Sequence, residues 1–383
     1  MKQTSILFFA LVVFFASCKT EVDLNAPYKN TTIIFGLLDA EQDVQFIKIN
    51  KTFLGEGDNN AYADIRDSSE YKEEDFIRKV VERIDNGEVV RTYELLDTTL
   101  INQDSDGIFY GPEQTVYYFE TPGGLLESSE YRIVLEFTDG RVVTATTNVV
   151  NSGSLNWISP QQNTPIILAS LSSTGNFNYT SEATVRWSPV TNVSIYDVRL
   201  RFHYTEKRYA STDDFFSGSP ISTANDSIDF FVGSITEDDV NGSQPLKITF
   251  DGRSFFSYLQ NNLVADPLVR RVIGRYNNNL TPARTECFDV VITMGNRELR
   301  SYIDVNSPST GVVQERPIYS NVSNGIGLFA SRSTRSLVNL PLVAITGQPN
   351  IGTLAALVES EYTRDLNFCD PNPASDPEYR CSN

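Results

Sequence analysis

One histidine, His203, stands in a chain of 383 residues. A single imidazole removes histidine-rich metal sites, histidine acid–base pairs and most nucleophile triads at a stroke. Basic residues are also short, 31 against 49 acidic ones, and the net charge of -18 argues against nucleic acid or anionic lipid as a partner. There is no Gly-x-Ser-x-Gly elbow and no phosphate loop. Tryptophan is limited to Trp157 and Trp187, which leaves little for a sugar-stacking platform. Core material is not lacking, since 40% of residues are hydrophobic and 11% aromatic. The length suggests two or three domains of ~100–200 residues each.

What is present begins with a leader. Lys2 precedes an unbroken apolar run from Ile6 to Ala16. At about 1.5 Å rise per residue the run is too short for a hydrocarbon core of ~30 Å, and its length suits a secretory signal. Phe15-Ala16-Ser17-Cys18 follows, small residues and then a cysteine where signal peptidase would cut. This arrangement resembles a bacterial lipobox, with Phe15 departing from the usual leucine. Residues 1–17 are thus expected to be a lipoprotein signal peptide, Cys18 the lipidation site and 18–30 a lipidated tether. Each buried methylene adds ~0.8 kcal/mol, so several acyl chains anchor a body that has no spanning helix. Lys19-Thr20-Glu21-Val22-Asp23 is similar to the export tag that sends Bacteroidota lipoproteins to the outer face of the outer membrane, although Thr20 and Val22 interrupt its acidic pair. An outer-membrane, surface-exposed, lipid-anchored location is the expectation.

Three cysteines then remain in a compartment that permits disulfides. Cys369 and Cys381 flank a proline-rich turn segment, and closing so short a loop is entropically cheap, so they are the expected pair. Cys287 lies in Glu286-Cys-Phe-Asp-Val-Val-Ile-Thr, a strand-like run, and reads as a buried free thiol.

From Thr31 to Val150 short β-like runs alternate with turns. Asn86-Gly87 and Asp139-Gly140 are hairpin signals between apolar runs. Strands at this spacing imply an antiparallel sandwich. Gly57 to Asp75 is polar and acidic and reads as a mobile loop, and Asn151-Ser-Gly-Ser as a linker. Beyond it, Ala183-Thr-Val-Arg-Trp and Ile195-Tyr-Asp-Val-Arg-Leu-Arg-Phe-His-Tyr resemble the opening strands of a fibronectin type III unit, with Trp187 in the inter-sheet core and Tyr196 packed in the next strand. Tyr196, Val198, Leu200 and Phe202 alternate with polar residues, so His203 falls on the polar face. Short helices are expected over 253–264 and 298–305, and a late strand over 325–331. The fold class is accordingly mainly β: tandem immunoglobulin-like (31–150) and fibronectin type III-like (155–383) β-sandwiches with a few short helices, an insertion around 205–284 and a disulfide-clasped C-terminus.

Several motifs suggest chemistry. Asn102, Asp104, Asp106, Gly107 and Glu113 reproduce the oxygen-ligand spacing of an EF-hand calcium loop. Asn102 at the first position, Pro112 before the glutamate and flanking strands depart from that pattern and favour a polar turn. No cofactor is expected, calcium at Asn102, Asp104, Asp106 and Glu113 being the one candidate. Gly325-Ile-Gly327-Leu-Phe-Ala330 matches a dinucleotide fingerprint in letters only, since no strand-helix alternation surrounds it. The acidic runs 73–75 and 237–239 could supply a glycosidase carboxylate pair, although solvated loops are commoner. Asp97-Thr98-Thr99 and Asp226-Ser227-Ile228 resemble Bacteroidota O-glycosylation acceptors.

Several separated stretches together resemble an uncharacterised Bacteroidota lipoprotein family, known only as a domain of unknown function. They are the segment from Cys18 to Pro27, Tyr131-Arg-Ile-Val-Leu with Asp139-Gly140-Arg-Val-Val-Thr-Ala-Thr-Thr, Trp187 with the Tyr196 strand, and Tyr319-Ser-Asn-Val-Ser-Asn-Gly-Ile-Gly-Leu-Phe-Ala. The resemblance is loose between Thr205 and Arg284. It implies no activity and no site residues, and it places the chain near TonB-dependent outer-membrane transporters. A non-enzymatic accessory or binding component of a transporter or surface assembly is the leading expectation. A surface glycan-binding lipoprotein comes next, and a calcium- or carboxylate-dependent hydrolase third.

Overall fold

Side chains alternate across a strand, so a run apolar at every second position buries one face. Glu130–Phe137 shows the pattern, burying Tyr131, Ile133, Leu135 and Phe137. The computed structural model describes residues 30–53, 62–101, 110–127, 129–215, 218–238, 243–279, 284–307, 318–343 and 351–381. The protein is mainly β, with 50% of residues in strands against 16% helical, and its strands form several sheets and no barrel.

In the first part of the chain lie β1 (Thr32–Leu38), β2 (Val44–Lys51), α1 (Arg66–Ser69), β3 (Phe76–Asp85), β4 (Glu88–Glu94), β5 (Leu96–Ile101), β6 (Glu113–Glu120), β7 (Glu130–Phe137) and β8 (Val142–Asn148). There follow β9 (Trp157–Ser159), β10 (Ala169–Leu171), β11 (Phe177–Tyr179), β12 (Ala183–Trp187), β13 (Ile195–Arg208), β14 (Ser222–Thr236) and β15 (Leu246–Phe250). The remainder comprises α2 (Gly252–Asn262), β16 (Val269–Ile273), β17 (Arg275–Asn277), β18 (Arg284–Gly295), α3 (Arg297–Asn306), β19 (Val322–Ser323), β20 (Gly325–Pro341), α4 (Gly352–Glu359) and β21 (Phe368–Cys369).

An eleven-stranded sheet runs in the order β21-β16-β13-β18-β20-β1-β2-β6-β5, with β14 beside β13 and β17 beside β18. Its β1-β2-β6 region faces a five-stranded sheet, β19-β8-β7-β3-β4, across one core that includes Ile34, Ile47, Phe119, Tyr131, Phe137 and Phe329. A second core lies under β12, β13 and β18, around Trp187, Tyr196, Phe202, Phe255 and Phe288. Trp187 is fully buried, its ring centroid 5.6 Å from that of Tyr196.

The long strand β20 joins the two cores. It pairs with β18 on one side and runs parallel to β1 on the other, Thr32 opposite Gly325 and Leu38 opposite Ser331. Residues 322–331, which the sequence reading places with the second unit, therefore supply Val322 and Phe329 to the first core. Gly327 permits the approach: it sits at φ +123, and a Cβ there would lie 2.0 Å from the Ile34 carbonyl oxygen. Gly325-Ile-Gly327 is thus a close strand pairing with no helix after it.

Two segments read as unstructured differ from that expectation. Of the polar stretch 57–75, residues 62–75 are described and carry α1 and one 3-10 turn, Glu73–Asp75. Glu70 anchors them, accepting hydrogen bonds from Arg66 Nε (2.8 Å), Thr115 N (2.8 Å) and Thr115 Oγ1 (2.6 Å). The Asn151 linker is a turn whose buried Ser152 donates to Glu41 Oε1 at 2.6 Å. Hydrogen bonding, invisible in residue polarity, fixes both. Among the described residues no helix is long and apolar enough to cross a membrane.

Candidate functional site

The predicted site residues do not converge. Cys18 and the whole leader lie outside the described residues, as do Asn102, Asp104 and Asp106. Glu113, the fourth calcium candidate, opens β6, and its carboxylate takes an ion pair from Arg66 at 3.1 Å. Cys369 and Cys381 form a disulfide, while Cys287 is a buried free thiol. In the acidic runs Glu73 pairs with Lys79 at 2.5 Å and Asp238 with Arg300 at 2.5 Å, while Asp239 lies outside the described residues. Thr98 is half-buried in β5 and Ser227 exposed in β14. Among the described residues no cluster of His, Cys, Asp and Glu could hold a metal ion.

Two other features stand out, and the first is a sheet face. β1 is apolar on both sides, as its unbroken sequence Thr-Ile-Ile-Phe-Gly-Leu-Leu requires. Ile34 and Leu38 enter the core, while Phe35 and Leu37 remain 43% and 37% exposed on the opposite face. On the same outer face Phe46 of β2, 54% exposed, lies opposite Tyr118 of β6, and Tyr118 lies opposite the exposed Leu96 of β5. Ile326 of β20 sits across from Ile33 and extends the row. Helix α3 approaches it, Tyr302 meeting Phe35 edge-on at 6.1 Å, and no residue of that helix is buried. Lys48 lies opposite Phe35 within this face, so the exposed apolar residues form a cluster beside one cation.

The face begins where the chain enters the fold. Arg141 Nη1 donates to the Asn30 carbonyl at 3.1 Å and to Thr32 Oγ1 at 3.2 Å, while Tyr71 Oη donates to Asn30 Oδ1 at 3.3 Å. Alongside lies a cleft of about 240 Å³ lined by Ile33, Lys48, Asn50 and Tyr110 among others.

The second feature is a cleft of about 270 Å³ over the polar face of β13 and β18, lined by His203, Arg275, Glu286, Cys287, Asp289, Val338 and Asn339. Its walls are two backbone irregularities. In β20, Leu337 lies opposite Val290 and Leu340 opposite Phe288, so Val338 and Asn339 bulge out against one residue, Asp289. Asn339 adopts φ +60 and its N–H donates to Asp289 Oδ1 at 2.8 Å. Across the cleft Gly274, at φ +46, kinks the chain between β16 and β17, where a Cβ would lie 2.2 Å from the Glu286 carbonyl oxygen. His203 Nε2 donates to Asp289 Oδ2 at 2.8 Å.

Electrostatics at this cleft are settled by burial and pairing. Burial pushes the Asp289 carboxyl up, but the His203 and Asn339 hydrogen bonds and the nearby Arg201 outweigh it and hold it below the ordinary aspartate value. Burial raises the Cys287 thiol well above its usual value, with Asp370 and Asp289 adding to the effect. That shift favours the thiol over the more nucleophilic thiolate. Glu286 pairs with Arg284 at 3.3 Å. Arg275 is exposed and makes no ion pair among the described residues.

No family model matches the chain, and no curated protein matches it.

Both features escaped the sequence reading for definable reasons. Phe46 and Ile47 are neighbours in one strand and cannot share a face, so the adjacency itself signalled an apolar outer surface. The cleft depends on a bulge and a kink that residue alternation does not encode.

Proposed function

We propose that this protein is a non-enzymatic, lipid-anchored outer-membrane surface protein that docks a membrane-embedded protein, of the transporter class, through the outer face of β5, β6, β2 and β1. The exposed apolar row from Leu96 through Tyr118 and Phe46 to Phe35 carries this reading. A strand apolar on both faces is normally covered on both, and here Phe35 and Leu37 of the second face stay exposed among the described residues. The occupant follows from the tether. With Cys18 acylated, eleven residues lie between it and Asn30, and the twelve Cα steps span at most ~40 Å of extended chain. Asn30 is clamped at the start of β1, so the face stays close to the bilayer, where an integral membrane protein is the partner within reach. The resemblance of the leader and of the Tyr319 segment to the transporter-associated lipoprotein family supports the same partner.

The immunoglobulin-like and fibronectin-like character of the two units belongs to this proposal, and a pair of tyrosines supports it. Tyr131 Oη accepts a hydrogen bond from Leu126 N at 2.9 Å, and Tyr196 Oη accepts one from Val190 N at 2.8 Å. Each ties a strand to the backbone a few residues upstream, as the tyrosine corner does in Greek-key sandwiches.

The test is fractionation of cells carrying the wild type or Cys18→Ala. The proposal expects the wild type in outer-membrane fractions and open to protease on intact cells, and the variant released from the membrane. Equal membrane retention of the variant would refute the anchor.

A further inference from the structure

We propose that the cleft between the β20 bulge and the Gly274 kink binds one neutral saccharide ring, held by Arg275 as the donor and by His203, Asp289 and Glu286 as acceptors. This goes beyond the docking role and uses a different surface of the protein.

The size comes first. At about 270 Å³ the cleft falls just below the range of drug-sized ligand pockets, so it suits a single small ring. Its charge then selects the ligand class. Asp289 and Glu286 are carboxylates already partnered by His203 and Arg284, so a cation gains little from them and meets the Arg275 guanidinium. An anion meets the two carboxylates and approaches a chain of net charge -18. A neutral polyol avoids both penalties. Each ring hydroxyl can donate and accept, which matches a site where donor and acceptor side chains alternate.

The floor and rim complete the match. The protonated Cys287 thiol, 1% exposed, behaves as a small apolar group. Val338, 43% exposed on the bulge, offers an aliphatic contact for the C–H face of a ring. The geometry is rigid: Gln162 Nε2 donates to the Val338 carbonyl at 3.0 Å, and Asn339 N is held by Asp289. A strained, pinned backbone beside partly exposed polar side chains is the form that ligand clamps take.

The experiment is ligand-detected NMR titration of the full lipidated chain in a zwitterionic, sugar-free detergent. Methyl glycosides of glucose, galactose and mannose serve as neutral probes and glucuronate as the anionic one. Binding of at least one neutral glycoside is expected, weakened at least tenfold in Arg275→Ala and in His203→Ala while thermal melting shows both variants folded. Absence of binding by all three neutral probes, binding indifferent to both folded variants, or a preference for glucuronate would each overturn the assignment. None of these outcomes bears on the sheet face or the lipid anchor.

Discussion

Phe46 and Tyr118 lie opposite each other on neighbouring strands with ring centroids 6.0 Å apart, both on the outer side of the long sheet. Phe46 is 54% exposed, so its ring contributes little to folding. Phe46→Asp should leave the urea midpoint almost unchanged, within ~0.5 kcal/mol. It should weaken partner binding about thirtyfold, the loss expected for an aromatic anchor worth ~2 kcal/mol. Quantitative co-purification from solubilised outer membranes measures this, with exposed Val264→Asp as the control that retains the partner.

The two tyrosine hydroxyls make unequal contributions. Val190 is buried, so Tyr196→Phe strands its N–H without water and should cost ~1–3 kcal/mol in urea unfolding. Leu126 is 48% exposed, and water can replace the hydroxyl lost in Tyr131→Phe. That variant should cost less than the first, and equal losses would contradict this account.

The C-terminal clasp closes a loop with a sequence separation of 12. Arg270 Nη2 donates to the Arg380 carbonyl at 2.9 Å, and Cys381 N to the Asp370 carbonyl at 2.9 Å. The chain-entropy model assigns such a loop ~3 kcal/mol. Cys381→Ser should lower stability by about that amount, and intact mass under non-reducing conditions should show the wild type carrying one thiol pair fewer than its reduced form.

Acid should act through Asp289. Its folded carboxyl titrates below the unfolded value of about 3.8, so its stabilisation is complete above that value and is lost as pH falls through the folded one. Glu70 and Glu82 shift the same way, burial raising each but Arg66 and Thr115 at Glu70, and Arg132 and Arg78 at Glu82, prevailing. Unfolding midpoints should begin to drop as pH falls toward the unfolded values of 4.5 and 3.8 and go on dropping below them. Asp289→Asn should show a shallower drop, and an identical slope would remove Asp289 from the balance.

Local features were the legible ones. Asn86-Gly87 turns β3 into β4 with both residues at positive φ, and Asp251 and Asn296 cap α2 and α3 close to the expected boundaries. His203 does lie on the polar face of β13, but its partner Asp289 is 86 positions away. Long-range pairing was not legible. The parallel match of β1 with β20 spans nearly the whole described chain, and only a glycine without a side chain marks where it occurs. The cleft stayed hidden for a related reason, since a two-residue bulge changes register without changing composition.

Site-specific photocrosslinking tests the central claim most directly. A benzophenone side chain replaces Phe46 in the full, lipidated chain, and intact cells are irradiated. A discrete crosslink to an integral outer-membrane protein is expected, absent in the Cys18→Ala background and absent when the probe stands at Val264. No crosslink from position 46, or an identical product from position 264, would contradict it.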